Sequence, residues 1–126
     1  MKRETYAGTE DAREDRSTGF EHYERAAVNP DDLTRFQTRI LTILYEESRY
    51  GLAIKEALEE FYGEEILHGR LYPNLDELAD YGLLEKSELD RRTNNYELTP
   101  AGEAVIEIEH HWMAERIVDD TQVGGR

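Results

Sequence analysis

Residues 68–84, HGRLYPNLDELADYGLL, put a glycine, an arginine and a proline at the front of an apolar helix. Leu71, Leu75 and Leu78 recur at helical spacing, which predicts a helix over residues 69–81 with one buried stripe. Gly82 stands just past its end, where a left-handed exit favours glycine. With the leucines inside, Arg70, Pro73, Asn74 and Glu77 face outward. Pro73 is read as falling in the first turn, where losing one backbone donor does little harm.

Two helices precede this one. NPDDLTRFQTRILTILYEE (29–47) reads as a single helix opened by Asn29 as cap and Pro30 at its first position, with Leu33, Phe36, Ile40, Ile43 and Leu44 inward. After a turn at SRYG (48–51), LAIKEALEEFY (52–62) brings Leu52, Ala57, Leu58 and Phe61 to the same core and stops at Gly63. EEIL (64–67) has room only for a turn or one short strand.

Downstream the period changes. Strand-like pieces at 83–89 and 96–99 flank a polar loop at 90–95, which predicts a β-hairpin with a long charged tip. Asn94 and Asn95 suit the left-handed conformations of a turn there. Thr99 and Pro100 then open a fourth helix with a stripe through Ala101, Val105, Ile108 and Trp112.

The order helix, helix, helix, hairpin, helix predicts a mainly α fold with a small β-hairpin (α+β). It is a winged helix-turn-helix over residues 31–99, followed by a C-terminal dimerisation helix at 100–118. Residues 1–30 hold few bulky apolar side chains and are expected to be an acidic, mobile tail, with a frayed end at 119–126.

In such a fold the third helix enters the major groove of double-stranded DNA, and the residues that meet base edges lie near its N-terminus. Arg70 then pairs with guanine or clamps a phosphate and Asn74 pairs with adenine; the alternative is that Arg70 is a solvated first-turn residue. At the wing tip, Arg91 and Arg92 suit phosphate contact or a narrow minor groove. Arg35, Arg39 and Lys55 either touch the DNA backbone or are solvated charges. Asp76, Glu77 and Asp80 keep all but the first turn of the third helix away from a duplex.

The fourth helix is long for so small a domain, and its apolar stripe asks for a partner, which a two-fold copy supplies. Val105, Ile108, Trp112 and Met113 are assigned to that homodimer contact; the alternative is that the helix packs back on Phe36 and Ile40 of its own chain. Chemistry of the catalytic kind is not legible. His110 and His111 point to different sides of a helix, and Glu107 with His111 is a lone four-apart pair, so no metal site, cofactor or enzymatic activity is expected. His68 is likewise a lone histidine.

Composition sets a further condition. The 126 residues hold 29 Asp and Glu against 15 Lys and Arg, a formal charge of -14 that repels nucleic acid and anionic membrane in dilute salt. Such an excess suits a cytoplasm of molar salt, where repulsion is screened within about 3 Å, or belongs to an ordinary acidic protein. No cysteine is present, which excludes disulfides and thiol chemistry. With no long apolar run and no apolar leader, a cytoplasmic location is expected, with no membrane partner.

YGLAIKEAL (50–58), HGRLYPNLDELADYGLLEKS (68–87) and NNYELTPAGEAVI (94–106) together resemble the PadR-like winged-helix transcriptional regulators. The matching features are Gly69, the Leu71–Tyr72–Pro73 triplet, Leu75, Leu78, the Gly82–Leu83 exit and the Leu98–Gly102 wing ending. The acidic composition is similar to that of haloarchaeal members, among them a regulator of the oxidative-stress response. The resemblance implies a dimeric, sequence-specific DNA-binding regulator, with Arg70, Tyr72 and Asn74 on the recognition helix and Arg91 and Arg92 on the wing. Only one helix follows the wing, so a small-molecule effector is not expected. Potassium or other salt cations are expected where carboxylates approach phosphate. The alternative function is a winged-helix protein-interaction module of a transcription complex that does not read DNA.

Overall fold

The computed structural model describes residues 28–118; the expected tail and frayed end lie outside the described residues, except Val28, Asn29 and Pro30. The chain does not run from Asn29 straight into a helix. Asn29 caps a single 3-10 turn, Pro30–Asp32, by accepting the Asp31 N–H at 2.9 Å. Leu33 is extended, and helix α1, Arg35–Glu46, starts afresh behind Thr34. There Thr34 and Gln37 form a reciprocal capping box: the Gln37 N–H donates to Thr34 Oγ1 and the Thr34 N–H to Gln37 Oε1, both at 3.1 Å. The single helix expected over 29–47 is therefore split, because this box satisfies the orphan donors that a continuous helix would leave elsewhere.

Residues Arg49–Tyr50, expected to turn, form strand β1. Helix α2, Gly51–Tyr62, follows at once and ends at Gly63, whose φ of 73° is open to glycine. Its inward residues are Ile54 and Leu58; Leu52 and Phe61, expected in the core, are exposed. Ile66 anchors the short connection to helix α3, His68–Asp80, whose Leu71, Leu75 and Leu78 are fully buried as expected. Gly82, at φ 82°, turns the chain into Leu83, which is also buried.

Strands β2, Leu84–Asp90, and β3, Thr93–Leu98, form the hairpin, and β1 adds to its far side to give an antiparallel sheet in the order β1-β3-β2. Arg49 pairs with Tyr96 and Tyr50 with Asn95. The hairpin tip is tighter than expected. Only Arg91 and Arg92 lie between the strands, while Asn94 and Asn95 sit inside β3 opposite Glu88 and Ser87. Among the described residues no non-glycine has positive φ, so the left-handed role expected of the asparagines is not used. The irregularity falls instead on β2, where the register shifts between Glu88 and Asp90.

Helix α4, Pro100–Arg116, is capped by Thr99, whose hydroxyl accepts the Gly102 N–H. Its first half packs back against its own chain: Ala104 and Val105 are fully buried, and the Tyr45 hydroxyl of α1 donates to Glu107 at 2.7 Å. The assignment of Val105 to a dimer surface is thereby overturned. Ile108 is half-buried, and from Trp112 onward the helix has left the core, with Trp112, Met113, Ile117 and Val118 exposed. Among the described residues no helix is long and apolar enough to cross a membrane.

Candidate nucleic-acid interface

Helix α3 offers its exposed side through Gly69, Pro73, Asp76 and Asp80. Its N-cap, Leu67, gives no side-chain cap, so the His68 and Gly69 N–H groups have no partner among the described residues and remain open to an outside acceptor. Pro73 is the sixth residue of the helix, one turn later than expected. Its missing N–H leaves the Gly69 carbonyl without a helical partner, and a glycine four residues earlier minimises crowding by the proline ring. The first turn is thus rich in backbone polar groups, while the later turns carry carboxylates.

The side chains expected to read bases divide sharply. Asn74 is tied on both ends of its amide: Nδ2 donates to the Arg70 carbonyl at 2.7 Å, and Oδ1 accepts from Gln37 Nε2 at 3.0 Å. The expected bidentate pairing with adenine is not available while those bonds stand. Glu77 is exposed as expected and at the same time reaches α1, accepting from Gln37 Nε2 at 3.2 Å and from the Tyr81 hydroxyl at 2.6 Å. Gln37 itself is buried, so one amide joins the start of α1 to the recognition helix. Tyr72 is half-buried against the His68 ring, 4.3 Å between centroids, and its hydroxyl would lie 2.5 Å from a Cβ on Gly51. It packs between α2 and α3, so only part of its ring is left for the recognition role that the resemblance carries to it.

The basic residues sort by partner. Arg49 pairs with Glu46 at 2.7 Å, Lys55 with Glu59 at 2.6 Å, Lys86 with Asp76 at 3.8 Å, and Arg116 with Glu115 at 3.4 Å. Arg35, Arg39, Arg70, Arg91 and Arg92 have no carboxylate partner among the described residues. Lys55, expected with them, is instead paired with Glu59. Its hydrogen bond to Glu59 raises its pKa, helped by Glu65 and Glu56, and the same bond lowers that of Glu59, which also accepts the Ile66 N–H. The Arg70 guanidinium is neither free nor solvated on both faces; it lies 3.9 Å from the centre of the Phe36 ring.

At the wing tip the Asp90 carboxylate accepts the Arg92 N–H at 2.8 Å, and that bond, with further ones from Thr93, holds its pKa below the usual value of 3.8. A depressed carboxylate contributes stability above its unfolded pKa and loses it as pH falls through the folded value. The Arg92 amide is accordingly expected to lose protection, relative to its intrinsic exchange rate, as pH falls through that lowered value, and Asp90→Asn to show the reduced protection at neutral pH. Amide exchange by NMR checks both.

The two residues of the pair weighed as metal ligands each have another partner. Glu107 bonds Tyr45, while His111 Nε2 lies 3.1 Å from Glu115. Among the described residues no three or more His, Asp or Glu side chains gather as a metal-holding group. The helix-facing unpaired arginines were legible as basic residues, but their aromatic supports, Phe61 and Tyr62, were not; the only signal was the FY pair ahead of Gly63.

Residues 40–108 match the model of the transcriptional regulator PadR-like family. The transcriptional activator GvpE2 of Halobacterium salinarum is 37% identical over 68 residues, covering 52% of this chain and 35% of that protein, so the chain spans about a third of this curated relative. A structure of H. salinarum RosR grown from NaBr is 60% identical, covers 69% of this chain and 79% of its own, and superposes with a TM-score of 0.68. The complex structure hsRosR-S1 is 56% identical over 75% of this chain and 85% of that one, with a TM-score of 0.71. The Staphylococcus aureus MepR–DNA complex shares the fold alone, at 20% identity, 83% and 80% coverage, and a TM-score of 0.58.

Proposed function

Because the chain belongs to the PadR-like family of transcriptional regulators, we propose that it is a dimeric, sequence-specific DNA-binding regulator adapted to high salt. The observation that carries the reading is the distribution of unpaired arginines. In a protein of formal charge -14, the basic side chains without a carboxylate partner among the described residues are those of α1, the first turn of α3 and the wing tip. Arg70 stands in the first turn of α3, where a recognition helix meets the major groove, and Arg39 shares the Tyr62 ring with it. The formal charge of -14 supports the salt adaptation.

Asp76, Glu77 and Asp80 stand on the later turns of α3, behind the first turn that approaches the duplex, so we infer that potassium or another salt cation is taken up or kept between those carboxylates and the phosphates. An ordinary binder releases cations and loses about 10³-fold or more in affinity over a modest rise in salt. Fluorescence anisotropy on promoter duplexes, titrated from dilute to molar KCl, is expected to show saturable, sequence-dependent binding that changes by less than about tenfold. A steep conventional loss would overturn the cation uptake; absence of specific binding at every salt would favour the protein-interaction reading.

The dimer contact falls on the exposed end of α4. Trp112 is 57% exposed and is followed by Met113 and, just past the helix end, by Ile117 and Val118, also exposed; Ile108 borders this surface. Trp112→Glu is expected to convert the dimer to monomer in sedimentation equilibrium without altering the helical circular-dichroism signal. A dimer of unchanged affinity would place the contact elsewhere.

A further inference from the structure

Phe61 is 59% exposed at the end of α2, and Arg39 of α1 lies over its ring with 4.0 Å from the guanidinium carbon to the centroid. Phe61 meets Tyr62 edge-on at 5.0 Å, and Tyr62 meets Phe36 at 6.0 Å, so the three rings form a continuous platform. Arg70 closes the far side over Phe36, and the two guanidinium carbons stand 6.0 Å and 5.7 Å from the Tyr62 centre. Three helices thus converge on one small patch, with two arginines stacked on shared aromatic surface.

Stacking fixes the plane of a guanidinium while leaving its in-plane N–H groups directed away from the ring. Such a fork suits the oxygens of a phosphate. Neither arginine has a carboxylate within ion-pair distance among the described residues, and Arg39 Nε is buried without a hydrogen-bond partner. The patch also borders the uncapped N-terminus of α3, whose open N–H groups favour an anion on the same side.

We propose that Phe61 is a positioning residue for DNA binding. With Tyr62 and Phe36 it holds Arg39 and Arg70 as a preformed clamp for backbone phosphates beside the groove, without touching the DNA itself. The clamp rests on the DNA-binding reading above. Preforming matters because an unsupported arginine loses side-chain freedom when it binds, and the platform has already restricted that freedom in the free protein.

The test compares wild type, Phe61→Ala, Phe61→Trp, Arg39→Ala and the Phe61→Ala/Arg39→Ala pair on one promoter duplex by anisotropy, with thermal unfolding alongside. Phe61→Ala is expected to weaken binding about fivefold, Phe61→Trp to restore it, and the double variant to bind no worse than Arg39→Ala. In the free protein, the Arg39 Nε–H resonance is expected to lose its ring-current shift in Phe61→Ala. Wild-type affinity in Phe61→Ala, or a loss that adds fully to that of Arg39→Ala, overturns the clamp while DNA binding stands. Failure of the wild type to bind any duplex overturns the DNA-binding reading, and the clamp with it.

Discussion

Replacing Arg91 and Arg92 together by alanine is expected to weaken operator binding by at least about 100-fold, since each charge-assisted hydrogen bond is worth roughly 1.5–3 kcal/mol. Both residues occupy the turn between β2 and β3, exposed and without a carboxylate partner among the described residues. Their backbone is held independently of their side chains, because Asp90 accepts the Arg92 N–H. The variant should therefore keep its unfolding midpoint within the small range usual for surface substitutions. Lysine at both positions would restore charge but not the planar fork, and is expected to recover only part of the affinity. Binding unchanged in the alanine pair would remove the wing from the interface and leave the load on α1 and α3.

The other large effect is on folding. Gly102→Ala is expected to destabilise the domain by about 3 kcal/mol, a fall of roughly 15 °C in midpoint for a domain of this size. A Cβ on Gly102 would overlap the Leu83 carbonyl oxygen and stand 2.9 Å from Leu98 Cδ2. The backbone oxygen cannot step aside, because it accepts the Thr99 N–H at 3.1 Å while the Thr99 hydroxyl donates to the Gly82 carbonyl at 2.6 Å. The end of α3, the end of β3 and the start of α4 are pinned together there. Better helix propensity returns at most about 1 kcal/mol. Circular-dichroism melts decide the matter; a midpoint within two or three degrees of wild type, by the same scaling, would mean that α4 can shift freely on the sheet.

Much of this architecture is legible in the sequence because local signals agree with the fold. The leucine stripe of α3, the glycines at 63 and 82, and the Thr99–Pro100 helix start each act through their own backbone, and each stands where periodicity and capping put it. The misreadings share a different cause. Asn29 and Pro30 are good opening residues, yet Thr34 with Gln37 opens α1, since two cap signals in one stretch compete and only tertiary docking of Gln37 decides. Strand β1 is two residues long and exists because β3 lies beside it. Leu52 and Phe61 look like core residues by composition, but the α2 surface that faces inward runs through Ile54 and Leu58.

The candidate site is legible in a similar measure. Its arginines announce themselves by charge in an acidic chain. That Asn74 and Tyr72 are engaged within the protein depends on contacts with Gln37 and Gly51, more than twenty residues away in the chain. The stripe of α4 is continuous in sequence, but periodicity alone does not say at which residue a helix leaves its core. Here the change falls between the buried Val105 and the exposed Trp112.

Gln37 gives the domain a mechanical linkage. Its amide oxygen receives the backbone N–H of Thr34, and its amide nitrogen holds Asn74 and Glu77 on the recognition helix. Tension on the chain ahead of Thr34 acts at one atom of the same planar group whose other end steadies α3. Fraying at the start of α1 would loosen the amide that steadies α3, so a partner that grips the segment leading into Thr34 would act on α3 without reaching it.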